Sequence, residues 1–223
     1  MKKYELTEDT RIHNGRKLHR IKALRDFGDV KKGDLGGWIE SESNLSQNDK
    51  CWVYDNAEVS GAAAVEQNAQ IRNIAFVSNS AKIRENAIIK DRTIICQRVS
   101  VSGEAVVEGG AILFGDVEIW GEAVIGGDVT IDEYVQIGDN AKISKETDYA
   151  TVKGFGRQCR STIFHRCKDG IVRVRCGCFY GTIEEFRKAV CKTHKNHKKM
   201  KQDYLKIAEL MELHFEEEQD NDK

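Results

Sequence analysis

From Val53 to Ile143 every sixth residue is a branched aliphatic, sixteen positions without a slip or an insertion. The residue two before each is small, and ten of the sixteen are alanine, among them Ala57, Ala69, Ala81 and Ala105. A helix repeats its apolar residues at three and four, so a strict six rules it out. The alternation of a strand instead puts the aliphatic and the small residue on one side. Turn formers separate the units. Gly61, Gly103, Gly109, Gly115, Gly121 and Gly127 stand two after an aliphatic, and Asn56, Asn68, Asn86 and Asn140 stand just before an alanine. Both residue types tolerate the left-handed backbone of a sharp corner. Short strands joined by corners around an apolar interior describe a solenoid of parallel strands. The absence of proline agrees, because proline cannot donate to a ladder.

The spacing of six resembles the hexapeptide repeat of left-handed parallel β-helices. The resemblance implies three hexads per coil, residues eighteen apart in columns, and about five coils for this array. Val53, Ile71, Ile89, Val107, Ile125 and Ile143 would form one column. Many proteins of that family are acyltransferases, with a histidine base in the coils or on a protruding loop. Here no histidine lies between His19 and His165, and the unbroken period leaves no loop. A base would have to come from His13, His19 or His165 of a neighbouring subunit. Relatives resembling γ-carbonic anhydrases carry three histidines on the prism faces, which this prism lacks. The family commonly forms trimers. Phe114 and Trp120 follow the inward Leu113 and Ile119 and so point outward, as an interface for a homo-oligomer (dimer or trimer) or a partner.

Residues 1–50 read as a leader that closes the open end of the array. Thr10 to Leu18 is a hairpin about Asn14-Gly15, a pair suited to a type I′ turn. Trp38, Ile39 and Leu45 are expected to cover the first coil. Gly36-Gly37 precedes no helical pattern and no Gly-Lys-Ser/Thr, so it is not read as a phosphate loop. The segments Lys22 to Phe27, Lys32 to Glu40 and Trp52 to Ala57 resemble uncharacterised phage and prophage proteins of Gram-positive bacteria. That resemblance brings no catalytic residues. It implies an accessory role, such as binding a host factor or a defence component.

Residues 146–215 read as a small basic α+β domain and 216–223 as an acidic tail, with Ser144 to Val152 as linker. Residues 1–149 hold 19 Lys/Arg against 25 Asp/Glu, and residues 150–215 hold 15 against 6. A hairpin is expected about a two-residue Asp169-Gly170 turn, with Cys167 opposite Val172 and His165 opposite Val174. One face is then Phe164, Arg166, Lys168, Ile171, Arg173 and Arg175. With Arg157 and Arg160 upstream, and Lys195, Lys198, Lys199 and Lys201 beyond, it forms a candidate anion-binding surface. Thr182-Ile183-Glu184-Glu185 is a capping box that opens a helix, and a second helix carries Tyr204, Ile207, Ala208, Met211 and Phe215 on one stripe.

Cys159, His165, Cys167, Cys176, Cys178, Cys191 and His194 raise a metal reading, with Cys167, Cys176, Cys178 and His165 the weak candidates. The spacing lacks the usual Cys-x2–4-Cys pairs, and core packing of thiols is preferred. Seven cysteines, an odd number, with no secretion signal point to reduced thiols in a cytoplasm, that of a host cell if phage-encoded. No apolar run approaches the roughly 18 residues of a membrane span. The expectation is a non-enzymatic, cofactor-free protein. In it the β-helix is a scaffold, and the basic domain engages an anionic host partner, protein, nucleotide or nucleic acid. A hexapeptide-repeat acyltransferase with an intersubunit site is the alternative, and a structural phage protein a third reading.

Overall fold

The computed structural model describes residues 2–156 and 160–216, apart from the Arg160 side chain. The chain divides into two compact units, Met1–Asn140 and Ala141–Lys223.

The first unit opens with an antiparallel pair, β1 (Tyr4–His13) and β2 (Arg16–Ala23), joined through Asn14 and Gly15 at φ 48° and 75°. This is the hairpin expected from Asn-Gly. Next comes β3 (Leu35–Ile39), antiparallel to β2 on one edge and parallel to the hexad strand Glu58–Val59 on the other. The array follows as two-residue strands, such as Trp52–Val53, Glu58–Val59 and Ala64–Val65, each hydrogen-bonded in parallel to the strand eighteen residues on. The fold is a parallel β-solenoid. One of its sheets contains β3 and then the strands ending at Val59, Val77, Ile95, Leu113 and Ile131, so there are about six turns rather than five. The extra turn comes from the leader: Ile39 stacks on Val59, and Leu45 bridges Val65.

The aliphatic positions are fully buried, and the alanines beside them are too. Each buried Val, Leu or Ile side chain contributes roughly 1.5–3 kcal/mol. Corners are equally regular. From Asp55 to Asp139 every sixth residue has φ between 52° and 88°. These are the positions two after each aliphatic; Asn56, Asn68, Asn86 and Asn140 do not share the left-handed conformation. At six of the non-glycine corners, Asp55, Gln67, Asn73, Glu85, Asp91 and Gln97, the side chain accepts from the corner amide one turn on. Asp55 Oδ2 takes Asn73 N at 2.9 Å, Asn73 Oδ1 takes Asp91 N at 3.1 Å, and Gln67 Oε1 takes Glu85 N at 2.7 Å. The ladder offsets the cost of an L-residue at positive φ.

The end of the array is closed by Tyr4, Phe27 and Trp52, whose rings meet edge-on at 6.1 and 5.3 Å. Gly36 and Gly37 are packing glycines. A Cβ on Gly36 would sit 2.6 Å from Trp52 and Ile21, and one on Gly37 would sit 2.5 Å from the Ala57 carbonyl. Trp38 does not face the coil interior. It lies on the wall beneath the guanidinium groups of Arg11 and Arg20, at 4.3 and 5.1 Å.

The second unit is a four-stranded antiparallel meander of β4 (Tyr149–Phe155), β5 (Arg160–Arg166), β6 (Val172–Cys176) and β7 (Phe179–Thr182), with helices α1 (Ile183–Thr193) and α2 (Lys198–Glu216). The expected linker is therefore a short 3-10 turn, Glu146–Asp148, followed by a strand. The capping box forms as read: Thr182 Oγ1 accepts from Glu185 N at 3.2 Å, and Thr182 N donates to Glu185 Oε2 at 2.9 Å.

The hairpin register differs by one residue from the sequence expectation. Phe164 pairs with Val174, His165 with Arg173 and Arg166 with Val172. Its turn uses three residues, Lys168, Asp169 and Gly170, closed by Cys167 N to the Ile171 carbonyl at 3.1 Å. A slip of one residue exchanges the two faces of a strand. Phe164 and Val174 therefore enter a core with Phe186, Ile207, Ala208 and Met211.

Candidate functional site

The tip of the β1–β2 hairpin reaches over one wall of the solenoid. The outward residues of that wall, one per turn, are Glu58, Phe76, Ile94 and Ile112 in one column. Ser60, Ser78, Cys96 and Phe114, two residues on in each strand, form the column beside it. Between tip and wall lies a groove of about 300 Å³, lined by Asn14 and Arg16 from the hairpin and by Ser60, Phe76, Ser78, Asn79, Ile94 and Cys96 from the coils.

His13 is not among the residues that line this groove and borders it through Phe76. Its ring meets Phe76 edge-on at 5.3 Å, and its Nδ1 is hydrogen-bonded to Glu58 Oε2. Glu58 Oε1 also binds Arg11 at 2.5 Å. The Glu58 side chain is 13% exposed and the His13 side chain 45%. With Glu58 ionised, Nδ1 carries the proton that bond requires, and Nε2 is the basic nitrogen. An imidazole oriented by a carboxylate, next to a groove lined by Phe76, Ser60, Ser78 and Asn79, is suited to taking a proton from a hydroxyl or amine. Arg16 is held by Glu40 at 2.9 Å at the groove edge.

The prism indeed carries no histidine of its own, but the leader brings one to it. The eighteen-residue stacking of Glu58 on Phe76 and Ile94 was readable from the hexads. The meeting of His13 with Glu58, forty-five residues apart, was not.

The outward aromatics named from the sequence are not one patch. Leu113 and Ile119 belong to different sheets, so Phe114 and Trp120 lie on different walls. Both are half-buried. Trp120 covers the coil after it, and a Cβ on Gly138 would meet its indole at 2.1 Å. Phe114 extends the apolar wall of Phe76, Ile94 and Ile112.

In the second unit the expected basic face is divided. Phe164 is fully buried and meets Phe186 at 6.2 Å. Arg166 is tied down: its Nε lies 3.3 Å from Asp148, its Nη2 donates to the Phe215 carbonyl at 2.7 Å, and its plane covers the Phe215 ring at 5.2 Å. Arg173 is held by two bonds to Asp169, at 2.9 and 2.7 Å, on the face with His165. That interaction keeps the Asp169 carboxyl at about 2, well below the usual carboxylate range. Arg175 stacks on Tyr180 at 4.7 Å, and Lys168 is exposed at the turn. Arg157 and Cys159 lie outside the described residues, as does the Arg160 side chain. An exposed basic run spans the end of α1, the connection and the start of α2, where Lys192, Lys195, Lys198 and Lys199 all face solvent.

The thiols are also separated. Cys167 Sγ lies 3.6 Å from His165 Nδ1, whereas Cys176 Sγ receives Thr162 Oγ1 at 3.2 Å on the opposite face of the sheet. Burial pushes the Cys167 thiol up, against the opposing pull of Arg173. Cys176 and Cys178 border a small apolar pocket of about 150 Å³ with Phe179, Phe186, His194 and Tyr204. Among the described residues no group of three His, Cys, Asp or Glu side chains is placed to hold a metal ion. Among the described residues no helix is long and apolar enough to cross a membrane.

Part of this chain is similar to a named acetyltransferase. The relative is "Uncharacterized acetyltransferase YdcK" of Escherichia coli strain K12, 41% identical over 80 residues. The match covers 32% of this chain and 24% of that protein, so the chain spans about a quarter of the relative's length. No family model matches the chain.

Proposed function

We propose that the protein is an acyltransferase of the hexapeptide-repeat type, with His13 as general base beside the groove beneath the hairpin tip. One observation carries this reading: His13, oriented by Glu58, packs against Phe76, which lines a groove on the wall of a parallel β-solenoid. The partial similarity to a protein named as an acetyltransferase supports it. In this reading Nε2 of His13 removes a proton from the acceptor hydroxyl or amine as it attacks the thioester carbonyl, Glu58 stabilises the resulting imidazolium, and the carbon–sulfur bond then breaks, the departing coenzyme A thiolate taking up that proton. Ser60, Ser78 and Asn79 offer hydrogen bonds to the acceptor, and Phe76 offers a flat apolar floor. The apolar wall below, Ile94, Ile112 and Phe114, would be covered by a second copy, which completes the groove.

The test is release of free coenzyme A from acetyl coenzyme A over a panel of hydroxyl and amine acceptors. His13→Gln is expected to lower the rate by about 10²–10⁴-fold. The side chain is half-exposed at a hairpin tip, so the fold should be unaffected. Transfer at the wild-type rate by His13→Gln would remove His13 from the role. No transfer, together with no rise in melting temperature at millimolar coenzyme A, would overturn the reading itself.

A second reading is supported by the exposed lysines around the connection between α1 and α2: an anion-binding surface for a host protein, nucleotide or nucleic acid. This is the role that would fit the leader's likeness to phage proteins. It requires binding that weakens steeply with salt and is lost in Lys198→Glu with Lys199→Glu. Salt-independent binding would count against it.

A further inference from the structure

The N-terminal segment is anchored by an unusual pair. Lys3 is completely buried, and its Nζ donates to the carbonyls of Asn48 at 3.0 Å and Cys51 at 2.9 Å. Its third partner is the Cys51 sulfur at 3.3 Å. Cys51 is also completely buried, at the small position of the first hexad, where every other unit carries Ala, Val or Thr. The Lys3 backbone is held as well, its N–H donating to Gln47 Oε1 at 2.8 Å. An amine and a thiol are thus fixed in contact across forty-eight residues, and neither takes part in the site described above.

We propose that Lys3 and Cys51 are a modification site, at which peroxide makes a covalent nitrogen–sulfur crosslink between them. The chemistry balances in two steps. The Cys51 thiol is oxidised by hydrogen peroxide to the sulfenic acid, breaking the O–O bond and releasing one water. The Lys3 amine then attacks the sulfenyl sulfur, an S–N bond forms, and the hydroxyl leaves as a second water with an amine proton. Sulfur is oxidised by two electrons, and the peroxide takes them up. Three features favour this outcome over further oxidation of sulfur. The amine is already in contact with sulfur. Burial lowers the Lys3 ammonium towards the neutral, nucleophilic amine. The same burial limits access of a second peroxide to the sulfenic acid. Burial also pushes the Cys51 thiol up, which Lys3 opposes, so the reaction should be slow and should need the amine beside it.

The result would be a redox-dependent clasp, closing the leader onto the first coil. It is independent of whether the groove transfers acyl groups.

The experiment uses the full chain. The folded protein is treated with hydrogen peroxide, denatured, alkylated and digested with trypsin. The expected product joins the peptide beginning at Lys3 to the peptide beginning at Cys51, lighter than their sum by about 2 Da and separated by dithiothreitol. A linked pair heavier by one oxygen is the same crosslink after a second peroxide equivalent, and supports it. The linked pair should be absent from Cys51→Ser and from protein unfolded before oxidation. Recovery of Cys51 from the folded wild-type chain as free thiol or sulfinic acid, with Lys3 unlinked, would overturn the proposal. So would equal linkage in the unfolded chain, because the pairing would then owe nothing to the fold.

Discussion

At the scale of single residues, the corners of the solenoid are held at positive φ by glycine or by Asp, Asn, Gln and Glu. Gly121 sits at φ 70°, and a Cβ on it would lie 2.7 Å from the backbone nitrogen of Asp139 in the next coil. Gly121→Ala therefore meets both positive φ and a backbone atom that cannot move without shifting a turn. It is expected to lower stability by about 1–3 kcal/mol, read as a lower urea midpoint. Gly126→Ala, where the nearest atom is a flexible Glu108 carbon at 3.5 Å, should leave the midpoint unchanged. In the second unit the Asp169–Arg173 pair makes a prediction about pH. A carboxyl with a lowered folded value adds stability above its unfolded value and loses it as pH falls through the folded one. The Asp169 side chain should titrate by carbon NMR at about 2, against 3.8 for the isolated group, and should move up towards 3.8 in Arg173→Ala.

At the scale of elements, the hexad strands and the β5–β6 hairpin differ in how strongly their register is set. Each two-residue strand has an aliphatic at its inward position with a small residue two before it, and any slip would break that period against the strands stacked on it. The repeat thus settles its own pairing. The hairpin has no such constraint, because Ile163, Phe164, Val172 and Val174 supply apolar groups to both faces. Its register depends on whether the turn uses two residues or three. Asp169-Gly170 suits the shorter turn and Lys168-Asp169-Gly170 the longer, since both place Gly170 where positive φ is needed. The helices decide between them by demanding Phe164 as a core residue. Phe164→Ala should therefore cost the second unit about 3–5 kcal/mol by thermal unfolding, whereas Arg175→Ala should cost far less. Comparable losses for the two would argue for the other register. The capping box and the stripe on α2 were legible because both depend on neighbours within one helix.

At the scale of the whole molecule, the wall carrying Phe76, Ile94, Ile112 and Phe114 is the surface expected to meet a second copy. Ile94 and Ile112 are 39% and 36% exposed in the single chain. They point away from the coil interior, so charge can replace them without disturbing the core. If a second copy covers this wall as proposed, Ile94→Lys with Phe114→Lys should shift the protein to monomer in sedimentation, with an unchanged circular dichroism spectrum. An oligomer of unchanged size would place its interface elsewhere. If the groove is completed by a neighbour, the same variant should also lose acyl transfer.

The hexad by itself determined the parallel solenoid, its buried columns and its left-handed corners, because strand pairing, side-chain direction and turn conformation all follow from one local period. The leader's hairpin was equally local. Only the tertiary structure decided that the leader adds a sixth turn, that Arg166 clamps Asp148 and the end of α2, and that His13 meets Glu58 on the solenoid wall. These contacts join residues 18 to 49 positions apart in the chain outside any repeat. Distances of that kind are set by how elements pack, and no local pattern of residues encodes them.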